Sequence, residues 1–263
     1  MSRPSRTVVI TGASKGLGRA LALAYAAPGT RLGLAGRSPL SLQETAASCE
    51  ARGARVQLST FDVGDHAATC AFIADIEAEG PIDILVANAG QFWGNGAAGV
   101  FEPVTRAIDL LRTNLEGAIV TVDAVLPGMR SRRHGQIALV TSLAALHPLA
   151  DAPAYSASKA GLVAYGEALR EFLAPEGIHV AVIYPGHIET AQTACHIGEL
   201  PMLMSPDRAA DIIVRGLAKR RSSIAFPTRL FWLIRLGRLA PWQLRARMSR
   251  SLRFHVETEK TTK

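Results

Sequence analysis

The sequence predicts an α/β protein: a doubly wound parallel sheet of about seven strands with helices on both faces, followed by a basic C-terminal extension. Three observations predict it. Short apolar runs alternate with longer segments of helical period, the pattern of repeated βα units. The runs are apolar on both sides of the alternation, as strands covered on both faces must be. A glycine-rich turn joins the first run directly to the first helical segment. The strands are expected at 7–11, 31–36, 54–60, 82–87, 136–141, 179–184 and 223–226. The helices are expected at 16–27, 40–52, 65–79, about 103–131, 154–173 and 206–221. Pro28-Gly29, Gly80-Pro81, the 175–177 turn and Pro185-Gly186 mark joints between them.

The 263 residues suit one large domain with a full core, and we read residues 1–227 as that domain and 228–263 as the extension. With 48% apolar and 19% charged residues the chain is neither disordered nor a coiled coil. Cys49, Cys70 and Cys195 form no CxxC pair, which excludes a disulfide scaffold or a cysteine-rich zinc module. They read as small buried hydrophobes in a reducing compartment. The net charge of +7 is local: Lys219 to Arg253 holds ten Lys/Arg and no acid, and the rest of the chain is slightly acidic. The run TVVIT begins at Thr7, which leaves no room for a secretory signal before it. No apolar stretch reaches the roughly 18 residues of a spanning helix; the best, 230–234, is bounded by Arg229 and Arg235. The expectation is a cytoplasmic protein, or one peripheral at a membrane's inner face.

The turn after the first strand reads Thr11-Gly12-Ala13-Ser14-Lys15-Gly16-Leu17-Gly18. Glycines there permit a tight turn and close backbone approach to a pyrophosphate, while the helix N-terminus offers free N–H groups and partial positive charge. Strand, glycine turn and helix in that order make this a Rossmann-like dinucleotide site. A site for NAD usually carries Asp or Glu at the end of the second strand, on the ribose 2′-OH. Here Gly36 stands there, followed by Arg37, with Lys15 in the loop. Two cations and no carboxylate suit a 2′-phosphate, so the expected cofactor is NADP(H).

Tyr155 and Lys159 open the helix expected at 154–173, four residues apart and so on one face. An ammonium beside a phenol favours the phenolate, which makes Tyr155 a usable general acid or base for a carbonyl. Ser142 ends the preceding strand thirteen residues upstream, placed to polarise the same oxygen.

These motifs together resemble the short-chain dehydrogenase/reductase family, in its single-domain branch. Gly12 to Gly18 matches that family's TGxxxGxG loop. Asn88-Ala89-Gly90 matches its NAG motif, and Asn114, Ser142, Tyr155 and Lys159 match its catalytic tetrad. Asp62-Val63 matches the pair near the adenine; Pro185, Gly186, Ile188 and Thr190 match the segment that contacts the nicotinamide carboxamide. The resemblance covers residues 7 to about 227. It implies that Tyr155 exchanges the proton, Lys159 binds the nicotinamide ribose and keeps Tyr155 acidic, Ser142 orients the carbonyl, and Asn114 holds a water linking Lys159 to solvent. It implies no metal, and no clustered Cys/His or HExxH is present. It also implies a homo-oligomer, dimer or tetramer.

The segment 187–205 holds the expected substrate lid, with Ile197, Leu200, Met202, Leu203 and Met204, and Phe92-Trp93 offer an aromatic wall. His187 and His147 could reach that pocket, and each reads equally well as an exposed loop histidine. The expected activity is NADP(H)-dependent interconversion of a carbonyl and a secondary alcohol, on an apolar ketone or 3-oxoacyl substrate. A sugar-precursor dehydrogenase and a non-catalytic NADP(H) sensor are the rivals. In the extension, Leu230, Phe231, Trp232, Leu233, Ile234, Leu236, Leu239, Trp242 and Leu244 mix with seven arginines, and Pro241 is expected to divide it into two helices. Three roles stand open for 228–253: docking on the body or a second subunit, contact with a membrane surface, or binding an acidic partner, nucleic acid being least suited.

Overall fold

The computed structural model describes residues 6–96, 100–190, 193, 196–197, 202–241, 243 and 255–256. Seven parallel strands form the sheet: β1 (Arg6–Thr11), β2 (Thr30–Gly36), β3 (Arg55–Thr60), β4 (Ile84–Ala87), β5 (Gly135–Val140), β6 (Ile178–Pro185) and β7 (Ser223–Phe226). Their order is β3-β2-β1-β4-β5-β6-β7, so the winding reverses between β1 and β4. The expected architecture is the observed one.

Alternation along the strands sends side chains to two cores. Val8, Ile10, Ile84, Val86, Ala138, Val140, Ala181 and Ile183 face helices α1 (Gly16–Tyr25), α2 (Pro39–Glu50) and α7 (Pro206–Ala218). Val9, Leu85, Ala87, Ile137, Leu139 and Val180 face α3 (His66–Ala78), α5 (Gly117–Ser131) and α6 (Pro153–Leu173). Helix starts follow local chemistry: Asp65 accepts from Ala68 N and Ser205 from Arg208 N, while Pro39 and Pro206 occupy first-turn positions where no N–H is missed.

Two expectations are corrected. The helix expected over 103–131 is interrupted: α4 (Val104–Leu111) passes through a π-helical turn, Arg112–Glu116, before α5. Strand β4 starts at Ile84, not at 82, because Asp83 is occupied with Thr7: its carboxylate accepts from Thr7 N at 2.8 Å and its N–H donates to Thr7 O.

Helix α8 (Thr228–Gly237) closes before Pro241, through turns at Arg238 to Ala240. Any second helix after Pro241 lies outside the described residues. Phe231, 6% exposed, packs with Leu230 and Ile234 against Tyr184, Leu143 and Leu146. Burying a side chain of that size contributes about 2–3 kcal/mol, enough to hold a short helix in place. The two-residue strands His196–Ile197 and His255–Val256 pair antiparallel, bringing the end of the chain to the segment after β6. Among the described residues no helix is long and apolar enough to cross a membrane.

Candidate active site

The C-terminal ends of β1, β2, β4, β5 and β6 meet at one edge, on either side of the reversal in winding where doubly wound sheets open a crevice. The turn from β1 into α1 is packed too tightly for side chains. Gly12 has φ +68°, and a Cβ there would stand 2.8 Å from Ala89 Cα; a Cβ on Gly18 would overlap the Gly12 carbonyl oxygen. Asn88 staples this turn to β4, its Nδ2 donating to Thr11 O (3.0 Å) and Gly12 O (3.3 Å). Thr11 Oγ1 accepts from Asn88 N and Ala89 N, both at 3.1 Å. Leu17 is buried under the loop, and Thr190 lies over it, its Cγ2 3.1 Å from where a Gly16 Cβ would be.

The turn fits a dinucleotide on an observation of its own. Ser14 Oγ is buried and has no hydrogen-bond partner, a polar atom at the place a phosphate would occupy. A Cβ on Gly36 would overlap that same oxygen, so the end of β2 has no room for the carboxylate that would hold a ribose 2′-OH. Lys15 and Arg37 are exposed beside it; Arg37 Nη1 stands 3.5 Å from Asp62 Oδ2, a solvated pair worth little. Asp62 Oδ1 accepts from Gly64 N at 2.9 Å, and Val63 is buried against Gly117. At the end of β6, Pro185 is buried, Gly186 N donates to Phe226 O at 2.7 Å, and buried Ile188 bridges to Met204.

Asn114, Ser142, Tyr155 and Lys159 gather a few residues away. The hydroxyls of Tyr155 and Ser142 share a hydrogen bond, and Lys159 Nζ stands 5.9 Å from the Tyr155 ring centroid. Lys159 is 4% exposed and donates to Val140 O at 3.0 Å. Burial pulls its pKa down to about 8. Burial also raises the Tyr155 phenol, opposed by the bond with Ser142, so the phenol stays protonated at neutral pH.

Asn114 is fully buried on the π-helical turn. Its Nδ2 donates to Gln91 O (2.9 Å) and Ser158 Oγ (3.2 Å), and its Oδ1 accepts from Gln91 N (2.7 Å). The amide therefore ties the loop after β4 to α6, and one Oδ1 lone pair is left for a water. A Cβ on Gly90 would lie 3.3 Å from both Asn114 Oδ1 and Lys159 Nζ, so a glycine is what leaves that corner open.

Sequence reasoning missed Glu102. It is 5% exposed, and its Oε1 accepts from Ala154 N at 2.8 Å, in the first turn of α6, where Ala152 supplies no side-chain cap. A carboxylate from 52 residues away thus holds the helix that carries Tyr155 and Lys159. No local signal marks it. Phe92 does form the expected aromatic wall, edge-on to Tyr155 with centroids 4.9 Å apart and with Leu149 and Ala152 beside it. In the lid, Met202, Leu203 and Met204 are described; Cys195, Leu200 and the side chain of Ile197 lie outside the described residues, as do Trp242 and Leu244. No group of His, Cys, Asp or Glu suited to a metal occurs among the described residues.

A glycine cradle at a topological reversal, beside a Tyr–Ser–Lys cluster, defines a dinucleotide-dependent oxidoreductase of the α/β class. The short chain dehydrogenase family model matches residues 6–196, and the chain belongs to that family. It is 37% identical over 249 residues to an uncharacterized oxidoreductase of Myxococcus xanthus (strain DK1622), covering 94% of this chain and 98% of that one. It is 30% identical over 224 residues to the ketoacyl reductase HetN of Nostoc sp. (strain PCC 7120), covering 83% of this chain and 77% of that one. A crystal structure of an actinorhodin polyketide ketoreductase with NADPH superposes with a TM-score of 0.75 at 26% identity, covering 84% of this chain and 95% of that one.

Proposed function

We propose that the protein is an NADPH-dependent ketoreductase acting on an apolar ketone or 3-oxoacyl substrate. The observation that carries it is the hydrogen-bonded Tyr155–Ser142 pair above buried Lys159, opening beside a glycine cradle with an unpartnered Ser14. Gly12, Ser14, Gly16, Leu17 and Gly18 would hold the pyrophosphate on the N-terminus of α1, with Asn88, Ala89 and Gly90 keeping the loop closed behind it. Asp62 and Val63 would flank the adenine. Lys15 and Arg37 would meet the 2′-phosphate, and the packing of Gly36 on Ser14 supports that choice over NAD. Pro185, Gly186, Ile188 and Thr190 would border the nicotinamide.

NADPH, when bound, supplies the hydride. Ser142 donates to the substrate carbonyl oxygen and draws electron density toward it. Tyr155 gives its phenolic proton to that oxygen as the new C–H bond forms. Lys159 stabilises the developing phenolate and has two further N–H donors, beyond the one on Val140 O, for the ribose hydroxyls. A water on the remaining Asn114 lone pair would return the proton. The Phe92 edge against Tyr155, with Leu149 and Ala152, gives the site an apolar wall and supports an acyl or ring ketone over a sugar.

Cofactor titration by fluorescence tests the reading. Wild type is expected to bind NADPH more tightly than NADH, and Arg37→Ala to weaken NADPH about tenfold while leaving NADH unchanged. Tighter NADH binding would overturn it. A reductase screen with a 3-oxoacyl thioester, a cyclic ketone and a ketose then decides the substrate class.

We also infer a homo-oligomer, dimer or tetramer. Phe101, Val104 and Ile108 are exposed apolar residues on and before α4, which suits contact with a second copy. Light scattering on wild type and on Val104→Ser/Ile108→Ser checks it.

A further inference from the structure

Helix α8 is apolar on two sides, and among the described residues only one is packed against the body. Leu230, Phe231 and Ile234 pack on Tyr184, Leu143 and Leu146. On the other side Trp232, Leu233 and Leu236, with Leu239 in the following turn, are 53, 63, 64 and 85% exposed. At 100° per residue, with Phe231 turned inward, Trp232 and Leu236 point outward beside Leu233 and Arg229, and Arg235 lies at the border, while Arg238 caps the end of the helix on the Phe231 side and is exposed. An ordinary surface helix has its polar residues where this one has tryptophan and leucine.

We propose that this face of α8 docks the protein on an anionic lipid bilayer. The charge argues for that occupant. From Lys219 to Arg253 every charged side chain is Lys or Arg. A second copy on the face, or residues 242–254 folded back over it, would bring arginines against arginines. On an anionic bilayer the same residues are complementary: Trp232, Leu233 and Leu236 enter the acyl boundary, Arg229 and Arg235 reach the headgroup phosphates along their methylene stems, and exposed Arg238 adds positive charge at the end of the helix.

The location gives the docking a use. Helix α8 follows β7 at the edge of the sheet that carries Tyr155. On that edge Met202 and Leu203, in the segment after β6, are 52 and 48% exposed, and the pairing of His255–Val256 with His196–Ile197 ties the chain's end to the same segment. A docked molecule would turn its substrate entrance toward the bilayer. The value of this for an apolar substrate rests on the proposed function; the docking itself does not.

Co-sedimentation tests it, using the purified full chain, vesicles of phosphatidylcholine alone, and vesicles with about 30% phosphatidylglycerol to supply the negative surface. Wild type is expected to pellet with the anionic vesicles, not with the neutral ones, and to be released by high salt. Arg229→Gln/Arg235→Gln/Arg238→Gln is expected to weaken partition about a hundredfold, near fivefold per arginine. Trp232→Ser/Leu233→Ser/Leu236→Ser is expected to abolish it. NADPH binding and thermal melting are expected to be unchanged in both variants, since these side chains are exposed. Failure of wild type to pellet with anionic vesicles, or equal pelleting of all three proteins, would overturn the proposal. So would light scattering in which wild type is larger than the serine variant, which would assign the face to a second copy. Loss of NADPH binding by wild type would sink the cofactor reading and leave the vesicle result standing.

Discussion

The two edges of the sheet use polar groups differently. At the edge where the strands begin, charged side chains bind the loops together. Arg31, 8% exposed, donates to Gly80 O at 2.6 Å and Thr7 Oγ1 at 3.2 Å and lies 3.5 Å from Glu79; Arg132 holds Glu77 and Ile82 O. Arg170 reaches Val180 O and Ser222 O, and Arg130 grips Glu176 with both arms of its guanidinium. A cleft of about 420 Å³ opens there, lined by Arg6, Tyr25, Asp83 and Gln136. Its Asp83 and Gln136 are already committed, to Thr7 N and to Leu217 O and His179. Both edges leave buried polar atoms without a hydrogen-bond partner: Tyr25 Oη, Arg31 Nη1, Arg132 Nε and His179 Nε2 where the strands begin, and Ser14 Oγ, Trp93 Nε1 and Glu102 Oε2 where they end. The first arrangement ties loops together with arginines. The second gathers a phenol, a hydroxyl and a buried Lys159 with donors to spare beside a glycine turn, which is why it marks a site.

The sharpest break of this comparison is Tyr155→Phe. It is expected to lower kcat about a thousandfold with NADPH affinity and melting unchanged; retained turnover would remove Tyr155 from the chemistry. Its counterpart at the other edge is Arg31→Met, which strands Gly80 O and removes the donor to Thr7 Oγ1, while Glu79 keeps Arg55. It is expected to destabilise by about 2–3 kcal/mol, some 6 °C in Tm, with kcat/KM of the folded protein unchanged.

Lys159 tests whether the site is held at a cost. Burial holds its pKa at about 8 in the folded protein, below the ordinary lysine value of 10.5, so the unfolded chain binds the proton more tightly. The penalty is complete below pH 8 and fades as pH rises toward 10.5. Lys159→Met is therefore expected to raise stability by about 2 kcal/mol at pH 7, with the gain shrinking by pH 10, while activity is lost. In wild type, kcat/KM for reduction is expected to fall above pH 8 as the ammonium is lost.

The smallest effect is expected at Glu102, a positioning residue for α6. Glu102→Ala is expected to lower kcat about tenfold with NADPH binding unchanged, and Glu102→Gln, which keeps an acceptor for Ala154 N, to restore most of it. Equal defects in both variants would mean that the carboxylate's charge, not the bond, matters.

Much of this was legible in the chain. Runs such as Thr7–Val8–Val9–Ile10–Thr11 have one reading when helical segments separate them, and the spacing of Tyr155 and Lys159 is a helix spacing. The turn at Gly12 to Gly18 is a local event and reads as one. Three features were not legible. The π-helical turn at Asn114 adds one residue inside a long apolar stretch, and a period averaged over turns does not register it. Glu102 acts on Ala154 N across 52 residues. The tail showed its apolar residues and its arginines, but not which of them would be buried.

The sequence alone determined the class of fold and the glycine turn between the first strand and the first helix, because each depends on neighbours within a turn or two; Asn114, Ser142, Tyr155 and Lys159, spread over 45 residues, were joined into a tetrad only through resemblance to a family. Tertiary structure alone decided why Gly36 excludes an acid, through Ser14. It decided how Asn114 joins Gln91 to Ser158, and which face of α8 meets Tyr184 and which faces outward. Those are contacts between residues far apart in the chain, and only packing around a common sheet brings them together.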